Sequence, residues 1–400
     1  MGRGFRPLGF VLSILLGVTS ACSGSGGTAS TTPKGVAPTP TPTPAPTPTP
    51  TTAPVTPSCT SPDGFRRAMR PSAVRSTGRR RATAAESSLI TEYTLPAGFS
   101  VTASGPEPGP QGIVTGPDGA LWFGLNPNTD NNMSGMIGRI TTAGQLTTYP
   151  GNGVPQGALG GVDGIAVGND GALWFTALEI DRMTTAGVLS NRYDDCDAYS
   201  GNIVSGPDGA LWFTSNGGTA IGRMTLGGAL TYYPVVEALY QFGAGSIADG
   251  PDGAMWFTGV GTPIGNELPV IGRITTSGVI TQFPVDNTSS QPGGITAGAD
   301  GALWFTDAST NSIGRMTTSG AVLEYPIPTA NSGPANIAAG PDGALWFTEY
   351  AAGQIGRITI AGTVTEYASW PGSIPNYITA GPDGNIWFTD SSGAIGKLTL

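Results

Sequence analysis

The chain contains no histidine in 400 residues. That absence removes Ser-His-Asp triads, Cys-His nucleophiles, histidine metal sites and imidazole acid/base catalysis together. Cysteine is scarce as well: Cys22, Cys59 and Cys196 are too scattered for a zinc site and too few for a disulfide scaffold. Whether Cys59 pairs with Cys196 in an oxidising compartment stays open on spacing alone. Cations are concentrated at one end. Residues 88–400 hold eight Lys/Arg against twenty-five Asp/Glu, whereas residues 1–87 hold ten against two. An acidic body without clustered cations excludes nucleic acid as a partner, because phosphate contacts need such clusters.

Long apolar runs are also missing. The run from Leu8 to Val18 falls short of the roughly 20 residues that span a bilayer. It follows Arg3 and Arg6 and leads through Thr19-Ser20-Ala21 into Cys22, which marks residues 1–21 as a signal peptide and Cys22 as the first mature residue. The segment resembles a bacterial lipoprotein signal, in which that Cys carries lipid; plain secretion is the alternative. The protein is therefore expected to be exported and extracytoplasmic, touching the membrane only through an N-terminal lipid. Residues 22–87 form a stalk. Its Pro-Thr tract, Thr39 to Pro57, favours extended polyproline II. For Arg66, Arg67, Arg70, Arg75, Arg79, Arg80 and Arg81 three readings stand: solvated disorder, adhesion to an anionic envelope polymer, or docking onto the acidic body of the same chain.

What the chain has in abundance is repetition. Gly340-Pro341-Asp342-Gly343-Ala344-Leu345-Trp346-Phe347-Thr348-Glu349 has six relatives, aligned on Asp118, Asp170, Asp208, Asp252, Asp300 and Asp383. Seven units of four short strands, spaced in the range of propeller repeats, predict an all-β fold over 88–400: a seven-bladed β-propeller with four antiparallel strands per blade. Pro-Asp-Gly is turn chemistry, and Leu-Trp-Phe-Thr, apolar on both faces, suits a strand covered by neighbouring sheets. The Trp residues are core. Arg139, Arg182, Arg223, Arg273, Arg315, Arg357 and Lys397 recur at one strand position and are expected to pair with a carboxylate or carbonyl of their own or the adjacent blade. Blade 7 ends at Leu400 without a fourth strand, and Ile90–Pro96 matches the outer-strand pattern, so the N-terminal strand should close the last blade.

Strand 1 begins and strand 2 ends at the same rim of each blade. Residues seven before the turn Asp include Gln111, Asp163, Ala335 and Asn376; those seven after it include Asp307, Glu349 and Asp390. Gln111, Asp163 and Asn376 are candidate binding residues. Asp307, Glu349 and Asp390, on three neighbouring blades, are candidate ligands for Mg²⁺ or Ca²⁺; the alternative is that they are solvated rim residues. The acidic run Asp194, Asp195 and Asp197 is expected to be a solvated loop.

The run Gly-Pro-Asp-Gly-Ala-Leu-Trp-Phe-Thr, then Ile-Gly-Arg-Ile-Thr-Thr and Thr-Glu-Tyr-Pro, resembles the virginiamycin B lyase (streptogramin lyase) family of seven-bladed propellers. The resemblance implies a carbon-oxygen lyase that linearises a cyclic depsipeptide by magnesium-assisted elimination. It implies a His base on the innermost strand of the penultimate blade, which falls at Ala335, and a metal-holding Glu, which falls at Glu349. It also implies an entrance residue in blade 7, often His, which falls at Asn376. The expectation is accordingly a monomer that binds a small molecule, peptide or cell-envelope ligand at the acidic channel face. The alternative is a divergent magnesium-dependent lyase in which Glu349 is catalytic, with Asp307 or Asp390 as substitutes. A sugar lactonase on a similar propeller is a third class, and nothing marks its ligand set.

Overall fold

Each repeat is built on its Pro-Asp-Gly turn. In blade 6 Gly343 takes φ +75°, a left-handed value that only glycine adopts without strain, and its amide donates to the Gly340 carbonyl. The turn aspartate does more than bond its own backbone. Asp342 Oδ1 accepts from the Ala344 amide and, at 3.0 Å, from the Trp346 indole, while Oδ2 accepts from Arg357 Nε at 2.7 Å. Burial pulls the Asp342 carboxyl upward, but these bonds outweigh it and hold the group below the ordinary carboxylate range. The same Asp-Trp-Arg arrangement repeats in blades 1 to 5, and Lys397 takes the place of Arg in blade 7. The expected carboxylate partner is thus the turn aspartate of the cation's own blade.

The computed structural model describes residues 67–68, 72–74, 89–96, 109–126, 135–150, 161–177, 179–193, 200–215, 220–235, 245–261, 268–285 and 290–400. The signal segment, Cys22, most of the stalk, the Cys59–Cys196 pair and the run Asp194–Asp197 lie outside them. Strands β1 (Arg67–Ala68), β2 (Ser72–Val74) and β3 (Ile90–Thr94) precede the repeats. Seven antiparallel sheets follow, ordered from an innermost first strand to an outer fourth, and no α-helix occurs among the described residues. As expected, β3 completes blade 7, pairing Ile90 with Leu398 and Thr94 with Ala394.

Trp and Phe on opposite faces of the second strand pack consecutive blades together. Trp174 meets Phe213 of blade 3, and Trp346 meets Ile378 and Phe388 of blade 7; the rings are fully or almost fully buried. The Phe rings demand glycine on the third strand: a Cβ at Gly356 would lie 2.0 Å from Phe347. Blade 2 departs from that rule, with Asp181 in the glycine position.

The residue after Trp-Phe stitches the inner ring. Thr348 Oγ1 donates to the carbonyl of Asn376 in blade 7 at 2.7 Å and accepts from the Asn336 amide; Thr306 donates likewise to Ala335 of blade 6, and Thr258 to Gly293 of blade 5. Thr348→Val should therefore leave a buried carbonyl and amide unsatisfied and lower stability by about 1–3 kcal/mol in chemical denaturation.

Candidate functional site

The geometry of the rim depends on a β-bulge in the innermost strand. A plain hairpin would set Ala335 across from Glu349. Instead the register slips between Pro334 and Ile337, so Pro334 faces Glu349, and Pro292 and Pro375 face Asp307 and Asp390 in the same way. Ala335 and Asn376 therefore sit in the bulge, their carbonyls turned to the threonines of the preceding blades.

Burial corrects the picture of a solvated rim. Asp307, Glu349 and Asp390 are each 0% exposed. Asp307 accepts from Ser290 Oγ and from the amides of Gln291, Ser309 and Thr310. Asp390 accepts from Ser373 Oγ and from the amides of Ile374 and Ser392. Both carboxylates tie the loop entering their blade to the turn that leaves the second strand. Burial raises the Asp390 carboxyl, opposed by the Ser373, Ser392 and Ile374 bonds. Among the described residues no three Asp, Glu, Cys or His side chains stand close enough to hold one metal ion, so the fold does not bring the three carboxylates together.

Glu349 is different. As a carboxylate it receives no hydrogen bond at either oxygen, and Gln354 Oε1, opposite it in register, receives none either; the Glu366 carboxyl lies within hydrogen-bonding reach and can share the Glu349 proton. Strand alternation puts Phe347, Glu349, Gln354 and Glu366 on the one face of blade 6 that packs against blade 5. Burial, and then the Glu366 carboxyl, push Glu349 up to about 8. Ser332 is close enough to oppose this, but its hydroxyl donates to Asn311 Oδ1, so its one proton is already committed. Glu366 Oε1 accepts from the Thr329 amide in the loop between blades 5 and 6.

At the next junction of the ring, Gln111 and Asn376 are buried and linked, Asn376 Nδ2 to Gln111 Oε1 at 3.4 Å, which joins blade 7 to blade 1. Asp163 is half-buried on blade 2. Two of the three candidate binding residues thus touch each other. Sequence reasoning missed Gln354 and Glu366, although pleat alternation from Glu349 leads to both. It also missed Asp181, buried beside Arg192 at 3.0 Å, with Glu179 on the same guanidinium at 2.8 Å. Burial pushes Asp181 up to about 7 against the pull of Arg192. The missed signal was the break in the repeated Gly-Arg pair.

Fold and rim together define a seven-bladed β-propeller whose distinctive polar groups are buried at the ends of the second strands. The chain belongs to the virginiamycin B lyase family, whose model matches residues 82–266 and 240–400. It is similar to the virginiamycin B lyase of Staphylococcus aureus, with 36% identity over 78% of this chain and 99% of that one and a TM-score of 0.65. A catalytically inactive His→Ala variant of the same enzyme, solved with quinupristin, matches at 35% identity and TM-score 0.65 over the same shares. A streptogramin B lyase structure matches at 34% identity, 78% and 97% coverage and TM-score 0.63. Among curated protein sequences none matches this chain.

Proposed function

We propose that the propeller binds a cyclic-peptide or peptide-like ligand at the rim where the innermost strands begin, without histidine-dependent elimination. One observation carries this reading. A relative at 35% identity is catalytically inactive when a histidine becomes alanine, yet was solved with quinupristin, and the present chain has no histidine and carries Ala335 where the resemblance places the base. Losing the base removes proton abstraction but leaves a shaped, polar rim. The signal-like segment that precedes Cys22 and the Pro-Thr stalk support presentation of that rim outside the membrane.

A divergent lyase is the second reading, and Glu349 favours it: a buried carboxyl raised to about 8 lies in the range of a general base. Two features weigh against it. Glu349 is wholly buried against blade 5, and at neutral pH it holds its proton, so it cannot accept another. For a divalent cation the donors fit only in part. Glu349 and Gln354 supply unpartnered oxygens, whereas those of Asp307 and Asp390 are committed to their loops. Magnesium bound there would polarise a ligand carbonyl; Glu349 would first have to give up its proton.

Calorimetric titration of the purified protein with quinupristin, with and without Mg²⁺, should show binding, and mass spectrometry of the mixture should show only the cyclic compound. Linear product that disappears in Glu349→Ala would decide for the lyase. Absence of both heat and protection on melting would remove this ligand class.

A further inference from the structure

Two strands stand outside the seven-blade repeat. β1 pairs antiparallel with the outer strand of blade 2, Arg67 opposite Leu189 and Ala68 opposite Val188. β2 pairs with the outer strand of blade 1, Ser72 opposite Thr148, Ala73 opposite Thr147 and Val74 opposite Leu146. Among the described residues these make blades 1 and 2 five-stranded, while the other five sheets have four strands. Followed along the chain, the segment visits blade 2, then blade 1, then blade 7 through β3. The three strands thus meet the blades in the reverse of the blades' own order.

We infer that β1, β2 and β3 act as a belt, in which β1 and β2 of the same chain occupy the outer edges of blades 2 and 1 and hold the ring shut across its seam at β3. The seam lies at blade 7, which is complete only while β3 stays paired with Ala394–Leu398. Opening the ring means stripping β3 away, and the chain leading into β3 is fastened to the neighbouring blade by β2. An uncovered outer edge presents unpaired amides and carbonyls, and an extended segment of the same chain satisfies them at little entropic cost because it is already tethered nearby.

Of the three readings of the Arg-rich segment, the pairing favours docking onto the body.

Hydrogen exchange read by mass spectrometry on the full chain tests this. The comparison is a full-length chain in which residues 66–75 are replaced by Gly/Ser of equal length. Amides of 146–150 and 188–193 should exchange roughly tenfold or more slowly in the natural chain, while 322–326 on uncovered blade 5 exchanges equally in both and confirms that both are folded. Ala73→Pro should speed exchange at 146–150 as well, and does not depend on the replaced chain folding. Equal exchange at 146–150 and 188–193 in all chains would overturn the belt. Protection that fades on dilution would also overturn it, since the strand would then come from a second copy.

Discussion

Trp346→Ala is expected to destabilise the protein by about 4 kcal/mol, read as a lower denaturation midpoint at unchanged denaturant slope. The ring is 1% exposed and fills the wedge between blades 6 and 7 against Ile378 and Phe388. On its own blade it lies 5.5 Å from Tyr367, and the Arg357 guanidinium sits 5.7 Å from its centre. Truncation opens a cavity between two sheets that cannot collapse, because each sheet is also held from its other side. It also takes a donor from Asp342. The ion pair with Arg357 survives, but at this exposure such a pair contributes little by itself. Trp346→Phe keeps most of the packing and loses the indole bond, so it should cost less than half as much. Equal losses in the two variants would mean that the indole bond, and not wedge packing, carries the effect.

Glu349→Gln is expected to make the protein more stable than its parent at pH 8 and to change little at pH 4. The folded state holds the Glu349 carboxyl at about 8 against an ordinary value of 4.5. Between those values the folded protein binds more protons than the unfolded chain, so stability falls as pH rises. The slope approaches roughly 1.4 kcal/mol per unit inside the window and vanishes above it. Below 4.5 both states are protonated, and the contribution of the neutral acid is fully present. Glutamine keeps the shape of that neutral acid and does not ionise. Melting temperatures of parent and variant should therefore diverge between pH 5 and pH 8. Parallel curves would show that Glu349 ionises normally and that its burial is relieved in solution. Asp181, pushed up to about 7, adds a similar fall in the parent and is present in both chains.

Much of the fold was legible because the repeat writes one physical solution seven times. The Pro-Asp-Gly turn, the doubly apolar Leu-Trp-Phe, the missing last strand and its match at Ile90–Thr94 each depend only on local chemistry or strand count, and each stands in the structure as read. The recurring Arg announced a common partner without saying which, since a sequence does not show how far the turn folds back over the third strand. The rim was read less well. Counting seven residues to either side of Asp342 assumes a regular hairpin, and the bulge at Ala335 breaks that count by one.

Legibility also failed at charge. Asp307 and Asp390 look from the sequence like pore carboxylates, yet the entering loops that cap them lie 16–17 residues away in the chain and come into reach only when the inner hairpin of their own blade closes. Glu349, one methylene longer, occupies the same position without their partners.

The sequence by itself therefore determined the number of blades, their turns, their wedge of aromatic rings, the closing strand and the absence of any imidazole chemistry, because these follow from residue type and spacing. Only the tertiary structure decided which carboxylates are satisfied. It also decided that Glu349 faces Gln354 and Glu366 instead of open water, and that part of the Arg-rich segment lies along two blade edges. Those outcomes depend on how each entering loop folds over its own hairpin, on the covering of one sheet face by the next blade and on edge pairing, which residue type and spacing do not set alone.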